Sequence, residues 1–296
     1  MGKTDLILKL EDPGLEIISA DAMQVYRGLD IGTAKPDREV LRKLPHHLLS
    51  IVDPREQFTV GEFVRRVERL VPQIYARGKT PILAGGTAYY LKTFICGLPG
   101  SPAGDPQVRE ELKRLLAERG LAFLAAELRR VDPLSAASIN EHDSYRVLRA
   151  LEIFRASGRP RTAFELPRRA RKQFDFLLIG LQRDREELNE RIERRVEAMF
   201  ARGLVEEVRC LLGRGYTAED PGMKGIGYRE FFEMRKGCLL LGGVEELIKR
   251  NTRRYAKRQI TFFNSLEGAR WFQAEDIGAI RRCLEDFRSG HSRLPP

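Results

Sequence analysis

The sequence predicts an α/β fold, a parallel sheet core with helices on both faces, interrupted by an all-helical insertion. Three observations carry that prediction. Short apolar runs at residues 17–18, 81–84 and 174–181 stop at polar or glycine residues, as buried parallel strands do. Segments with helical apolar spacing separate the first two runs and follow the third. Between Ser101 and Phe174 there is no strand signal, only charge-rich helical sequence behind the punctuation of Pro102, Gly104 and Pro106. The expected division is a core over 1–102, a helical insertion over 103–172, and the rest of the core over 173–296.

The chain has 296 residues, with 52 Lys and Arg against 42 Asp and Glu, a net charge of +10. That balance suits a polyanionic partner, and composition alone leaves nucleic acid, phosphorylated metabolites and plain solubility all open. The cysteines Cys96, Cys210, Cys238 and Cys283 are scattered, form no zinc motif and suit a reducing compartment. No apolar run approaches the roughly 20 residues that span a bilayer. Met1–Asp5 leads into an amphipathic segment unlike a signal peptide. The expectation is a cytoplasmic monomer with no membrane partner.

Gly2-Lys3-Thr4 matches the last three residues of the phosphate-binding loop GxxxxGK[ST] and precedes an apolar helix with Leu6, Ile7 and Leu10. In a complete loop the amides cradle phosphate, the Lys reaches an outer phosphate, and the Ser/Thr hydroxyl holds Mg²⁺. The first glycine and the strand before it are not in the sequence. The expectation is therefore that the sequence begins too late, and that the missing part is the central strand and half of an anion nest.

The stretch Leu15–Pro36 organises the core. Its opening strand delivers Asp21 at the carboxyl end, where ligands of open α/β sheets bind, with Gln24 and Tyr26 in reach of the same crevice. On the residues alone Asp21 can equally be an N-cap. Asp30–Pro36 reads as a loop. His46 and His47 are neighbours in a strand and point to opposite faces, which argues for a structural role. Phe63, Val67, Leu70, Val71 and Ile74 mark a helix that Gly78 ends. The next strand, Pro81–Ala84, stops at Gly85-Gly86-Thr87. Paired glycines let backbone approach a ligand and Thr87 offers a hydroxyl, although a plain turn capped by Thr87 also fits.

The insertion reads as helices at Val108–Arg119, Leu121–Val131 and Pro133–Ile139, then a helix capped by Asp143 with a stripe of Val147, Leu148, Leu151 and Phe154. Arg146 and Arg149 share a face of it. Arg168-Arg169-Ala170-Arg171-Lys172 is a backbone-phosphate candidate on charge. After the third strand, Leu188, Ile192, Val196 and Met199 form a stripe with Arg191 and Arg195 just off it. Arg191 reads as part of an ionic face with Glu187, Glu190 and Glu193. Met223–Arg229 is a glycine-punctuated turn with two cations and an aromatic. Lys249–Arg258 holds six basic residues and no acid, stacked at i, i+4 and i+8. Like charges so close repel unless a polyanion lies against them, which points to RNA. Phe262 and Phe263, just beyond, are expected in the core.

Five segments, ADAMQVYRGLDIGTAKP, GGTAYYLK, DSYRVLRALE, GIGYRE and KRQIT, together resemble the tRNA dimethylallyltransferases, also called tRNA isopentenyltransferases. The resemblance runs from Gly2 to about Trp271. It implies a P-loop-containing, nucleotide-binding core with Mg²⁺ as cofactor. It further implies transfer of a dimethylallyl group from dimethylallyl diphosphate to N6 of adenosine 37, beside the tRNA anticodon. The matching positions make Asp21, Thr87 and Arg195 catalytic, and Gly2, Lys3, Thr4 and Arg195 diphosphate ligands, with Thr4 on the metal. The implied tRNA contacts are Asp21, Ala22, Met23, Gln24 and Thr87 in the core and Arg109, Tyr145, Arg146, Val147, Leu148 and Arg149 in the insertion. Toward the carboxyl end they are Lys224, Gly225, Ile226, Gly227, Tyr228, Arg229, Lys257, Arg258, Gln259 and Thr261. Longer family members with a Cys/His finger are not matched. Other readings of the residues are a P-loop kinase of a small metabolite, a transferase acting on free adenine nucleotides, and a catalytically silent tRNA-binding protein.

Overall fold

The structure, a computed structural model, describes residues 2–290 apart from 165, 166, 168, 236, 238 and 239. Met1, Arg168 and Cys238 therefore lie outside the described residues. The chain divides into two compact units, residues 1–95 with 171–296, and residues 96–170. In chain order α1 (Lys3–Lys9) leads to β1 (Leu15–Ser19), α2 (Arg38–Lys43), β2 (His46–His47), α3 (Val60–Ala76), β3 (Thr80–Ala84) and α4 (Ala88–Cys96). The second unit follows with α5 (Pro106–Val131), α6 (Pro133–Ser138) and α7 (Ser144–Ser157). The chain then returns with β4 (Ile179–Gln182), α8 (Arg185–Ala201), α9 (Leu204–Gly213), α10 (Arg229–Arg235), α11 (Leu241–Phe263), β5 (Arg270–Gln273) and α12 (Ile277–Arg288).

β1 is the central strand of the first sheet. It runs parallel to β2 on one side and β3 on the other, with Ile17 opposite both His46 and Ile82. All of β1 is buried, and its side chains alternate between two cores. Ile17 packs with Leu6, Leu10, Ile280 and Leu284 from α1 and α12. Ile18 packs with Phe63, Val67 and Phe94 from α3 and α4. Helices thus cover both faces.

The third expected strand is shorter than its apolar run. β4 begins only at Ile179 and pairs in parallel with β5 in a second, two-stranded sheet. Phe174 and Phe176 are drawn out of the extended ladder by ring packing on Phe94, at centroid distances of 5.4 and 5.9 Å. The Arg171 guanidinium caps that cluster, 4.6 Å from the Phe94 ring. Phe262 and Phe263 are half-buried and lie outside the core clusters.

In the second unit, Gly120 breaks α5 with φ 77° and ψ 169°, so the two helices expected on either side of it are separate. Leu112, Leu124 and Leu128 pack against Val147, Ala150 and Leu151 of α7. Asp143 caps α7, accepting from the Arg146 amide at 3.0 Å. Among the described residues no helix is long and apolar enough to cross a membrane.

Both histidines of β2 have internal partners. His46 Nδ1 lies 2.7 Å from the Leu44 carbonyl, and His47 Nε2 lies 2.6 Å from Glu16 Oε2. Arg77 donates to the same Glu16 carboxylate, at 2.7 and 3.1 Å. The Arg77 hydrogen bonds, against the opposing effect of burial and with help from His47, hold the Glu16 carboxyl down at about 2. A carboxyl held low when folded stabilises the fold above its ordinary pKa, and the contribution fades as pH falls toward 2. Glu16→Gln should therefore cost about 1–3 kcal/mol at neutral pH. Urea titrations should show the gap between variant and parent closing as pH falls from 4.5 toward 2; a gap constant with pH would refute the role of the charge.

Candidate active site at the carboxyl edge of β1 and β3

The ends of β1 and β3 are locked together by backbone. The Ala20 amide donates to the Ala84 carbonyl at 2.9 Å, and the Thr87 amide donates back to the Ala20 carbonyl at 3.1 Å. Gly85 permits this, because a Cβ there would sit 2.1 Å from the Ala20 carbonyl oxygen. The Thr87 hydroxyl then accepts from the Ala22 amide at 2.9 Å, so Thr87 and Asp21 hold a fixed relation. Asp21 Oδ1 accepts from the amides of Met23 at 2.9 Å and Gln24 at 3.3 Å. No helix follows Asp21 directly, so its carboxylate closes a turn at the crevice rather than capping a helix.

Two cations face Asp21. Lys3, at the start of α1, and Arg195, on α8, each keep some surface open to solvent while surrounded by protein mass. Desolvation lowers both from their usual values, and the negative charge of Asp21 opposes that at each. Arg195 also pushes Lys3 down, so the two cations feel one another. Two cations against one carboxylate leave a local surplus of positive charge, which suits a bound anion.

α11 closes the other side. The Gln259 amide and the Tyr255 hydroxyl both donate to the Gly86 carbonyl, the latter at 3.4 Å. Burial raises the Tyr255 phenol, hydrogen bonds with Gln259 and Thr87 offset part of that, and the Asp21 charge adds to it. Tyr255 is thus a member of the site that sequence reasoning missed. Its only signal was a place between arginines on a helix read for charge.

The remaining candidates separate into groups. Gln24 faces inward, receiving the Ser19 hydroxyl and donating to the carbonyls of Thr33 and Ala34, and Tyr26 is core rather than crevice. Met23 packs on Gly225, where a Cβ would lie 2.4 Å from its methyl group. Tyr228, expected as a tRNA contact, has a fully buried side chain whose hydroxyl donates to Glu207 at 2.6 Å. Glu207, unnoticed in the sequence, also accepts from the amides of Asp30, Ile31 and Gly32. It ties the Asp30–Gly32 loop to the Gly225–Arg229 turn. Ile226 is half-buried, Lys224 is exposed, and Gly227 takes φ 98° with its amide on Glu230. Arg229 pairs with Glu230 at 3.0 Å.

The basic run on α11 has two faces. Lys249 is ringed by Glu197, Glu245 and Glu246 at 3.0–3.3 Å, and Arg253 pairs with Glu193 at 3.0 Å. These two dock α11 on α8, which corrects the reading of six unpaired cations. Arg250, Arg254, Lys257, Arg258 and Thr261 are exposed. In the second unit Val147 is core, as its place in the apolar stripe predicts, which corrects the tRNA contact implied for it, and Leu148 is half-buried. Arg109 and Arg149 converge on the buried Glu152 at 3.0 and 2.8 Å. Tyr145 is 72% exposed and Arg146 beside it pairs with Asp143.

The sequence profile described as IPP transferase matches residues 24–266. The chain belongs to this family. A tRNA dimethylallyltransferase of Geobacter metallireducens is 47% identical over 264 residues, covering 88% of this chain and 85% of the relative. One from Geobacter sulfurreducens is 43% identical over 274 residues, covering 92% and 88%. Among solved structures, a eukaryotic dimethylallyltransferase described as acting on tRNA aligns with a TM-score of 0.83 at 26% identity, covering 99% of this chain and 78% of that one. The full-length tRNA isopentenylpyrophosphate transferase of Bacillus halodurans aligns with a TM-score of 0.69 at 34% identity, covering 98% and 96%. The α/β core around β1 is thus the IPP transferase core.

Gly85→Ala should force β1 and β3 apart at the site, costing about 1–3 kcal/mol as overpacking does. Chemical denaturation would read that cost. Unchanged stability would mean the two strand ends are less tightly joined than the geometry requires.

Proposed function

We propose that this protein transfers a dimethylallyl group from dimethylallyl diphosphate to N6 of adenosine 37 in tRNA, next to the anticodon. The observation that carries the reading is the convergence of Lys3, Arg195 and Asp21 beside Thr87 at one strand edge. An exocyclic amine is a weak nucleophile because its lone pair is delocalised into the purine. Rate must therefore come from alignment and from stabilising the leaving group. Lys3 and Arg195 neutralise the diphosphate as the allylic C–O bond breaks, while the new C–N bond forms at N6. Asp21 accepts the hydrogen bond of the amine and takes its proton as positive charge develops there. Thr87 holds that carboxylate's segment in place through the Ala22 amide.

Among the described residues no cluster of His, Cys, Asp and Glu is arranged as a cage for a metal. Thr4 would hold a Mg²⁺ through its hydroxyl, and such an ion would supply further positive charge for a departing diphosphate. The adenine leaves its stack to reach Asp21, which costs a few kcal/mol and is easiest in a single-stranded loop. The exposed Arg250, Arg254, Lys257 and Arg258 suit the phosphates of an anticodon stem, and Tyr145 offers a ring for an unstacked base.

A single-turnover assay with labelled dimethylallyl diphosphate, Mg²⁺ and unmodified tRNA tests the reading. Label should appear at adenosine 37, and phosphate transfer from ATP to a small metabolite instead would favour the kinase. Asp21→Ala should abolish transfer and leave tRNA affinity nearly intact; a large loss of affinity would defeat its role as proton acceptor. Arg254→Glu should weaken tRNA binding and lower the salt slope by about 1 or more. An unchanged slope would remove Arg254 from the phosphate-binding face.

A further inference from the structure

In the second unit, α5 and α7 meet over a single carboxylate. The Glu152 side chain, on α7, is only 2% exposed, and Arg109 of α5 and Arg149 of α7 both donate to its Oε2, at 3.0 and 2.8 Å. Its Oε1 is buried with no hydrogen-bond partner among the described residues. The segment ahead of α5 is drawn over the same group. Arg149 donates through Nη2 to the Pro102 carbonyl at 2.7 Å. A Cβ on Gly104 would stand 3.1 Å from Glu152 Oε1 and 3.0 Å from Arg109 Nη2.

Stability does not account for this arrangement. A buried ion pair offsets little more than its own desolvation, and an apolar side chain of similar size usually packs as well. The neighbours of Glu152 along α7, Leu151 and Ile153, are themselves core, and a carboxylate oxygen left without a partner there adds to the cost. What Glu152 does that no apolar residue can is hold two like charges side by side. Both guanidiniums bond to one oxygen, so the bonded nitrogens stand within two hydrogen-bond lengths of each other. Two cations against one carboxylate leave a positive charge over.

The pairing does not use up the arginines. Arg109 keeps 35% of its side chain exposed and Arg149 26%. Arg109 meets Glu152 through one nitrogen, and Arg149 uses two for Glu152 and Pro102. A guanidinium carries five N–H donors, so donors remain at the open edges. A planar fork held from behind by a carboxylate, with its free edge outward, suits the paired oxygens of a phosphate.

We infer that Glu152 is a positioning residue for RNA, fixing Arg109 and Arg149 as one two-pronged clamp for a backbone phosphate of the tRNA. The inference rests on tRNA being the substrate, as proposed above. Two unrestrained arginines would each lose side-chain freedom on meeting a phosphate; here that ordering is complete once the unit has folded.

Glu152→Gln is the deciding variant, because charge and position predict opposite signs. If charge alone mattered, removing a negative group beside a polyanion would tighten tRNA binding. The clamp predicts weaker binding by about tenfold, with KM for tRNA rising to match. Transfer at saturating tRNA should stay within about twofold of the parent. In an Arg109→Ala/Arg149→Ala chain, Glu152→Gln should change affinity no further. If the Gln variant folds poorly in urea titrations, Glu152→Met replaces it, since an apolar side chain suits that place in the core. Arg109→Lys and Arg149→Lys, which keep the charge and lose the fork, should weaken binding too. Unchanged or tighter binding by the Gln or Met variant, or lysine variants that bind like the parent, overturns the clamp alone. A parent chain that does not bind tRNA overturns the proposed reaction, and the clamp falls with it.

Discussion

Everything at the candidate site follows from the pairing of β1 with β3. That register sets Ser19 opposite Ala84 and lets Gly85 pass close under the Ala20 carbonyl. Once the two strand ends are joined, Thr87 has no choice but to meet the Ala22 amide, and Asp21 is presented to the crevice. Lys3, Arg195 and Tyr255 come from three separate helices, yet each is felt by, or feels, that one carboxylate. The helices bring charge to an edge that backbone geometry has already drawn.

The division of labour among the basic residues follows from the same packing. α11 must dock on α8, and a lysine and an arginine make that contact by meeting glutamates. The remaining cations on α11 face solvent. One helix thus carries an inward face that is paired and an outward face available for phosphate. In the second unit, Arg109 and Arg149 serve a buried glutamate in the same way, and Tyr145 and Arg146 stay outside.

Features governed by neighbours along the chain are legible in the residues themselves. The pair Ile17-Ile18 with polar residues after it specifies β1, Asp143 specifies the start of α7, and the glycines before Thr87 specify a close approach. What depends on distant partners is not legible in this way. Nothing beside Tyr228 reveals that Glu207 takes its hydroxyl, and nothing in the run from Lys249 to Arg258 reveals which cations meet α8. Phe174 and Phe176 look like strand residues until the Phe94 ring is placed. Tyr255 stands among arginines, and only the fold of α11 over Gly86 brings its hydroxyl to the site. The family resemblance supplies roles that local pattern alone leaves open, and it cannot say which matching side chains face inward.

The Glu207 carboxylate bears on selectivity. Successive amides of Asp30, Ile31 and Gly32 form a concavity of the kind that captures phosphate, and here it is occupied by a side chain of the protein itself. This internal anion cannot diffuse away and is already in contact, so a free polyphosphate would have to displace it and leave a charge stranded beside Tyr228. Under the reaction proposed above, the cations offered to a diphosphate are then Lys3 and Arg195, and the Asp30–Gly32 amides are already taken.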